Sequence, residues 1–337
     1  MLASIASARH SIRLESYIFA DDEVGRRFAG ALAERARAGV EIRLHVDAAG
    51  SLFWGPRSLE RHLREQGVGV RWFHRWSWRD PLCYNRRNHR KALVVDEEQV
   101  YLGGFNIHRE NSRALFGEER WRDTHVRLSG DLAIEAARLF DAFWEGERSW
   151  TPKQGWGINA LMPNHTRACR HALRCLYADR FHEATESIYL TTPYFVPDHR
   201  TQRGLRAAAR RGIDVRLLVP RKDNVALTRW AARYAYANLL GAGVRIYEYL
   251  PRVLHAKTAV VDRDWAMVGT ANLDYRSLFL NYELNLVTRD PDLCRQLRSQ
   301  FFQDLSESEE VLPVQWATRP HRRRVAEAIG WTARRWL

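Results

Sequence analysis

Two short stretches of the sequence have the same arrangement of functional residues: a histidine, a lysine two positions later, and an aspartate after four intervening residues. The six residues are His89, Lys91 and Asp96 in the first stretch and His255, Lys257 and Asp262 in the second. Each stretch is followed by a four-residue segment that begins with glycine and ends in asparagine, residues 103–106 and residues 269–272. Because both the spacing and these segments repeat, we interpret the stretches as the halves of one duplicated site.

The spacing suggests a chemistry. Alternate residues of a β-strand point to the same side, so the histidine and lysine of each stretch should project together. Apolar, β-prone residues follow each lysine, as expected for a buried strand. Two facing copies would place two imidazoles and two ammonium groups in one cleft. This set suits a phosphodiester, because the cations can hold the phosphate oxygens while one imidazole attacks phosphorus and the other protonates the leaving oxygen. The alternative, two unrelated strands with solvated side chains, leaves the repetition unexplained.

We expect no metal and no other cofactor at this site. A lysine beside each histidine would repel a cation, and no cysteine or second histidine lies at a useful ligand spacing. The four cysteines form no disulfide framework, which is typical of a reduced cytosolic protein.

The duplication extends over most of the chain. Residues 11–19 parallel 187–195, and residues 37–46 parallel 210–219. Each half has the order strand, helix, strand, helix, strand and then the His/Lys strand. The sequence therefore predicts an α/β fold of two pseudo-symmetric repeats, each a mostly parallel or mixed β-sheet flanked by helices. The expected divisions are a first lobe at 1–148, a linker at 149–165, a second lobe at 166–310, and a basic amphipathic tail at 311–337.

A carboxylate follows each asparagine segment at a corresponding place: Asp123 in the first half and Glu283 in the second. A carboxylate on the second nitrogen of a catalytic imidazole fixes its tautomer and stabilises the imidazolium. The repeated placement favours this role over the alternative, a surface salt bridge.

The net charge of +13 favours anionic partners, either nucleic acid or an anionic membrane. No apolar run approaches the roughly 18 residues that span a bilayer, and residues 1–10 lack the features of a signal peptide. Membrane attachment should therefore be peripheral. Residues 72–88 mix tryptophans with arginines, and they form either a lipid-facing rim of the site or an ordinary basic loop. Residues 320–337 form either a membrane-binding helix or a terminal helix docked on the core.

The paired motifs resemble those of the phospholipase D superfamily, and the resemblance covers almost the whole chain. Residues 14–19, 103–107 and 269–283 are similar to the cardiolipin synthase branch. Relatives begin the helix at residues 1–8 further upstream, so we expect a truncated start or a short branch. The resemblance implies a phospholipase D-like fold and a metal-independent transfer of a phosphatidyl group from phosphatidylglycerol, or another phospholipid, to a phosphatidylglycerol hydroxyl through a phosphohistidine.

The resemblance also implies roles for individual residues. His89 is expected to be the nucleophile and His255 the acid and base. Asp96 and Asp262 should brace the motifs. The expected phosphate- and substrate-binding residues are Lys91, Lys257, Asn106, Asn272, Gly104 and Thr270.

Other functions fit parts of the pattern. A hydrolase would use the same covalent intermediate, with water as the acceptor. A nuclease of the superfamily would explain the charge, although familiar nucleases of this type are short chains with one motif. A non-enzymatic relative is disfavoured because both motifs are intact. We expect phospholipid substrates and an anionic membrane at the cytoplasmic face as partners, and do not expect nucleic acid.

Overall fold

The computed structural model describes residues 1–55, 57–75, 85–147, 157–164, 166–222 and 226–335. The tryptophan-rich residues 76–84 and residues 149–156 of the expected linker lie outside these ranges. The described chain forms two mixed sheets with helices around them, which confirms the predicted α/β fold of two repeats.

The first sheet has six strands in the order β3-β2-β1-β4-β5-β6. Its strands are β1 (Ser11–Ser16), β2 (Glu41–Asp47), β3 (Gly69–Phe73), β4 (Ala92–Val95), β5 (Gln99–Gly103) and β6 (His125–Ser129). Strands β1 to β3 are parallel, and β4 to β6 continue the sheet antiparallel. The helices of this lobe are α1 (Leu2–Ala6), α2 (Glu23–Arg37), α3 (Arg57–Glu65), α4 (Arg113–Phe116) and α5 (Asp131–Trp144).

The second sheet has eight strands, and its inner six repeat the topology of the first. The strands, in the order β16-β11-β10-β8-β12-β13-β15-β7, are β7 (Asn159–Pro163), β8 (Ser187–Thr191), β10 (Asp214–Pro220), β11 (Arg245–Tyr249), β12 (Thr258–Val261), β13 (Trp265–Gly269), β15 (Leu284–Thr288) and β16 (Ser308–Glu310). Strands β9 (Phe195–Val196) and β14 (Leu273–Asp274) form a separate pair. The helices are α6 (Arg167–Glu183), α7 (His199–Arg210), α8 (Ala226–Leu240), α9 (Tyr275–Phe279), α10 (Pro291–Ser306), α11 (Pro313–Ala317) and α12 (His321–Thr332).

One expected boundary needs correction. Residues 159–163, which the sequence analysis placed in the linker, instead form β7 at the edge of the second sheet, antiparallel to β15. The proline and glycines nearby suggested a connection. Leu161 and Met162 are nevertheless buried, and Pro163 is the last residue of an edge strand, where proline is tolerated.

The two lobes share an apolar core. Side chains from β4 and β5 of the first sheet, such as Val94 and Leu102, belong to the same buried cluster as Val260 and Val268 of the second. Because this core joins strands that follow the two His/Lys segments, it fixes the position of one segment relative to the other.

The C-terminal helix α12 docks on α8 of the second lobe. A Cβ added at Gly330 would lie 2.6 Å from the backbone nitrogen of Ala231, so the helices approach closely there. The Trp331 ring stacks on Tyr234 at 5.1 Å. Of the two expectations for the tail, a terminal helix docked on the core is the one observed. No helix within the described ranges is long and apolar enough to span a membrane.

Candidate active site

The two His/Lys segments lie directly before β4 and β12, not within a strand as expected. Strand β4 runs antiparallel to β1, with Ala92 opposite Glu15, and β12 runs antiparallel to β8, with Thr258 opposite Thr191. Each segment therefore lies at the carboxyl end of a parallel strand. This edge of a sheet is where open α/β folds commonly bind their ligands.

Backbone hydrogen bonds connect each histidine to the opposite lobe. The His89 N–H donates to the carbonyl oxygen of Tyr282 at 2.9 Å, and the His255 N–H donates to that of Arg122 at 2.7 Å. Tyr282 and Arg122 each come directly before an acidic residue, Glu283 or Asp123. These bonds bring the acidic residue of one lobe beside the histidine of the other.

The acidic side chains are indeed exchanged between lobes. His89 Nδ1 lies 2.9 Å from Glu283 Oε2, and His255 Nδ1 lies 2.6 Å from Asp123 Oδ2. A carboxylate accepts the Nδ1–H of a neutral imidazole, which leaves the Nε2 lone pair available for attack or proton transfer. The structure therefore brings both predicted carboxylates to the histidines, and each partner comes from the other half of the chain.

The two carboxylates are supported differently. Glu283 accepts hydrogen bonds from the hydroxyls of Thr270 at 2.6 Å and Ser277 at 2.8 Å. Asp123 lies against Gly104, where an added Cβ would come 2.0 Å from Oδ1. Gly104 and Thr270 were expected to bind substrate, but their contacts are to the carboxylates. Sequence reasoning missed Ser277, because Asn111 occupies the corresponding position of the first repeat and the hydroxyl is therefore not repeated.

Both lysines are buried close to the histidines. Lys91 Nζ donates to the His89 carbonyl oxygen at 2.9 Å, and Lys257 Nζ contacts the His255 carbonyl oxygen in the same way. Burial, followed by repulsion from Lys257, lowers the pKa of Lys91 to about 7. Burial lowers the pKa of Lys257 to about 8. The two ammonium groups thus repel each other across the cleft, and an anion between them would relieve that repulsion.

The imidazoles are neutral near pH 7. Burial and then the Lys257 ammonium lower the pKa of His255 to about 3, and burial is also the main cause that lowers the pKa of His89. Burial alone would raise the pKa of Asp123 and Glu283, but the neighbouring imidazoles and lysines hold both pKa values below the usual range. The site therefore combines two neutral nucleophilic rings with two ionised carboxylates.

The asparagines lie beside this cluster. Asn106 Oδ1 accepts a hydrogen bond from the backbone N–H of Ile18 at 3.2 Å. The Asn272 N–H donates to Ser277 Oγ at 3.1 Å, while its side-chain Oδ1 is buried without a hydrogen-bond partner among the described residues. A buried amide with unmet hydrogen-bonding capacity is suited to contacting a ligand.

Asp96 and Asp262 lie at the other ends of β4 and β12, away from the histidines. Asp96 accepts backbone N–H groups of residues 9–11, each at 2.8 Å, and Asp262 accepts those of residues 185–187. Burial would raise the pKa of each carboxyl, but these backbone donors hold both pKa values low. Both residues have φ of 53°, a left-handed backbone. These contacts fit the expected bracing role.

Aromatic rings flank the histidines, and sequence reasoning did not assign them. The Tyr17 ring meets His89 edge-on at 4.9 Å, and Lys91 Nζ lies 5.3 Å from the centre of the same ring. Trp121 lies 5.2 Å from the His255 ring. The sequence offered one indication that Trp121 lies at the site, since Trp121 is two residues before Asp123. Among the residues that the structure describes, no group of three or more potential metal ligands comes together.

Comparisons with known proteins agree with this geometry. A family model described as cardiolipin synthase, phospholipase D-like domain, matches residues 1–144 and 177–305. A probable cardiolipin synthase of Bacillus subtilis is 33% identical over 97% of this chain and 67% of its own length. Cardiolipin synthase 2 of Bacillus anthracis is 35% identical over 97% of this chain and 66% of its own length. The cardiolipin synthase of Geobacillus kaustophilus is 36% identical over 98% of this chain and 68% of its own length. The chain thus spans about two thirds of the length of these relatives.

Solved structures support the fold. A phosphatidylserine synthase of Haemophilus influenzae has a TM-score of 0.74 at 13% identity, over 100% of this chain and 92% of that one. A polyphosphate kinase of Porphyromonas gingivalis has a TM-score of 0.66 at 14% identity, and the match covers 98% of this chain and 49% of the kinase. The family model and the curated relatives, with which the paired, cross-braced histidines agree, show that the chain belongs to the cardiolipin synthase branch of the phospholipase D superfamily.

Proposed function

We propose that the protein is a phosphatidyltransferase of the cardiolipin synthase type. It transfers a phosphatidyl group from phosphatidylglycerol, or another phospholipid, to a hydroxyl of phosphatidylglycerol. The observation that carries the proposal is the pair of buried imidazoles, each held at Nδ1 by a carboxylate of the other lobe and each beside a buried lysine. The names of the curated relatives point to the same reaction.

The reaction proceeds in two displacements. In the first, His89 Nε2 attacks the phosphorus of the donor lipid, the bond from phosphorus to the headgroup oxygen breaks, and protonated His255 gives its proton to that oxygen. In the second, neutral His255 takes the proton of the acceptor hydroxyl as its oxygen attacks the same phosphorus. The phosphorus–nitrogen bond then breaks and His89 is regenerated. The phosphate oxygens are bound by Lys91, Lys257, Asn106 and Asn272. The two carboxylates are positioned by Gly104 and Thr270.

The first step requires a proton on His255, whose pKa is lowered to about 3 by burial and by the neighbouring Lys257. A bound phosphodiester adds a negative charge beside that ammonium. Its charge offsets the repulsion and favours protonation of His255. Substrate binding therefore prepares the acid, while Glu283 stabilises the positive charge that His89 gains on attack.

We expect kcat/KM to fall as the pH rises above about 7, because Lys91 and Lys257 lose their protons near pH 7 and pH 8. The unprotonated amines no longer attract phosphate, so the decline should approach about tenfold per pH unit for each lysine. The measurement is kcat/KM for phosphatidyl transfer from pH 6 to pH 9.

Lys91→Arg provides the control for this pH dependence. A guanidinium stays protonated over the range, so its decline should begin at higher pH even if its absolute rate is lower. An identical pH profile in Lys91→Arg would show that another group causes the decline.

Gly104→Ala should lower kcat by about a hundredfold, because its Cβ would displace Asp123 and with it the His255 ring. The measurement is the initial rate at saturating lipid, together with the thermal unfolding midpoint. Gly30→Ala is the matched control: Gly30 lies in α2, and an added Cβ meets nothing within 4 Å. Equal activity of the two variants would contradict a positioning role for Gly104.

The expected place of action is the cytoplasmic face of the cell membrane, with peripheral attachment. The charge of +13 supports attraction to anionic lipid. Basic side chains close to an anionic membrane surface each add to this attraction.

The function is tested by incubating the purified protein with phosphatidylglycerol vesicles, with and without a chelator, and identifying the lipids by mass spectrometry. Cardiolipin and glycerol, formed equally with chelator, are the expected products. Phosphatidic acid as the main product would indicate a hydrolase. Unchanged lipid with cleavage of added DNA would indicate a nuclease, and loss of activity with chelator would contradict the metal-independent mechanism.

A further inference from the structure

The chain exposes two large apolar side chains on a short turn of the first lobe. Leu52 is 57% exposed and Phe53 is 91% exposed, within a single 3-10 turn, Leu52–Trp54. Isolated exposed apolar side chains are common on protein surfaces. This pair, which we call the apolar tip, is distinguished by its rigid base and by its connection to the active site.

The base of the apolar tip is held firmly. Asp47 accepts the backbone N–H groups of Ala49 and Gly50, each at 2.9 Å. Ser51 is fully buried; its hydroxyl donates to the carbonyl oxygen of Tyr17 at 3.1 Å and accepts the N–H of Phe19 at 3.0 Å. The exposure of the two apolar side chains is therefore enforced by the surrounding fold.

Side-chain contacts connect the residues around the apolar tip with both catalytic histidines. On one side, Gly50 packs so closely on Tyr17 that an added Cβ would lie 2.8 Å from its ring, and that ring contacts His89. On the other side, Trp54 contacts His108 at 5.4 Å, and His108 contacts Trp121 at 4.9 Å. Trp121 in turn contacts His255. A binding partner that contacts Leu52 and Phe53 would thus lie close to the cleft between the two lobes.

We propose that the apolar tip inserts into the surface of an anionic phospholipid bilayer and holds the active cleft against it. This inference rests on the proposed function, because a diacyl lipid must pass from the bilayer to His89 without exposing its chains to water. The chain's charge of +13 and the exposed Arg57, four residues after Phe53, complement anionic headgroups. Apolar side chains that insert beside basic ones are typical of interfacial attachment.

The test compares the wild-type protein with the double variant Leu52→Ser/Phe53→Ser. Binding is measured by flotation with phosphatidylglycerol vesicles, and turnover is measured both on these vesicles and on short-chain phosphatidylglycerol dispersed as monomers. We expect about tenfold weaker vesicle binding and a similar loss of turnover at low vesicle concentration, from the lost burial of two apolar side chains. Turnover of the dispersed lipid should stay within about twofold, because the catalytic residues are unchanged.

Val314→Ser is the matched control. Val314 is 78% exposed in α11 of the second lobe, so its loss removes an equally exposed apolar side chain away from the tip, and vesicle binding should not change. Unaltered vesicle binding by the double variant would overturn the proposal, and so would equal losses on vesicles and dispersed lipid. If the wild-type protein transforms neither lipid, the proposed function fails, while flotation still decides whether the apolar tip binds the bilayer.

Discussion

Replacing either His89 or His255 with alanine should lower phosphatidyl transfer by at least about ten-thousandfold, because each ring has a separate task in the proposed mechanism. Without His89 there is no nucleophile for the phosphorus. Without His255 the leaving oxygen departs unprotonated and the acceptor hydroxyl keeps its proton. The measurement is cardiolipin formation from phosphatidylglycerol vesicles. The exposed His62 of α3 provides the control, and His62→Ala should retain the wild-type rate.

Trapping the covalent intermediate should identify which histidine carries the phosphatidyl group. A quench of the wild-type protein in alkaline denaturant, where a phosphorus–nitrogen bond to imidazole is stable, should leave the phosphatidyl group of a radiolabelled donor lipid on His89, and His89→Ala should trap none. A label found on His255 would reverse the order of the two displacements. Substantial turnover in either alanine variant would remove the mechanism based on paired imidazoles altogether.

The fold and the grouping of the candidate site residues could be predicted from the sequence because both depend on local patterns that occur twice. The run of apolar residues after each His-x-Lys segment predicts the strand that follows the segment, and the repetition predicts a shared cleft. The exchange of Asp123 and Glu283 between lobes could not be predicted in this way. Asp123 lies 34 residues after His89 and Glu283 lies 28 residues after His255, and both spacings are equally compatible with a partner in the same lobe. The exchange depends on long-range pairing of Asn88 with Tyr282 and of Arg122 with Leu254.

The differences between the halves were also hidden from the sequence pattern. Gly104 and Thr270 align in the two asparagine segments and were given the same role. In the structure, Gly104 makes room for the aspartate, whereas the Thr270 hydroxyl donates to the longer glutamate. Each residue matches its own carboxylate, so the two halves achieve the same imidazole geometry by different packing. The fit of Gly104 to Asp123 and of Thr270 to Glu283 depends on contacts between residues that are distant in sequence. The alternation of apolar residues that predicts a strand carries no information about such contacts.

The carboxylates themselves should be the next most sensitive positions. Asp123→Asn and Glu283→Gln keep the size of the side chain but remove its charge, so the imidazolium that forms during the reaction loses its stabilising partner. An amide can also donate a hydrogen bond to Nδ1, which would favour the wrong tautomer. We expect each variant to lose about a hundredfold to ten-thousandfold in kcat, as in other sites where a carboxylate orients a catalytic imidazole. The exposed Asp292 of α10 is the control, and Asp292→Asn should leave kcat unchanged.

The exchange between lobes makes a second, independent prediction for the same variants. Nuclear magnetic resonance of the imidazole nitrogens should show that Glu283→Gln alters the Nδ1 signal of His89, its neighbour at 2.9 Å, and leaves that of His255 nearly unchanged. Asp123→Asn should do the reverse, because its carboxylate lies 2.6 Å from His255 Nδ1. A response confined to the histidine of the same half would contradict the exchanged pairing. Because each lobe supplies the carboxylate for the other's histidine, neither half alone holds a complete pair, and activity depends on the two lobes remaining docked through their shared core.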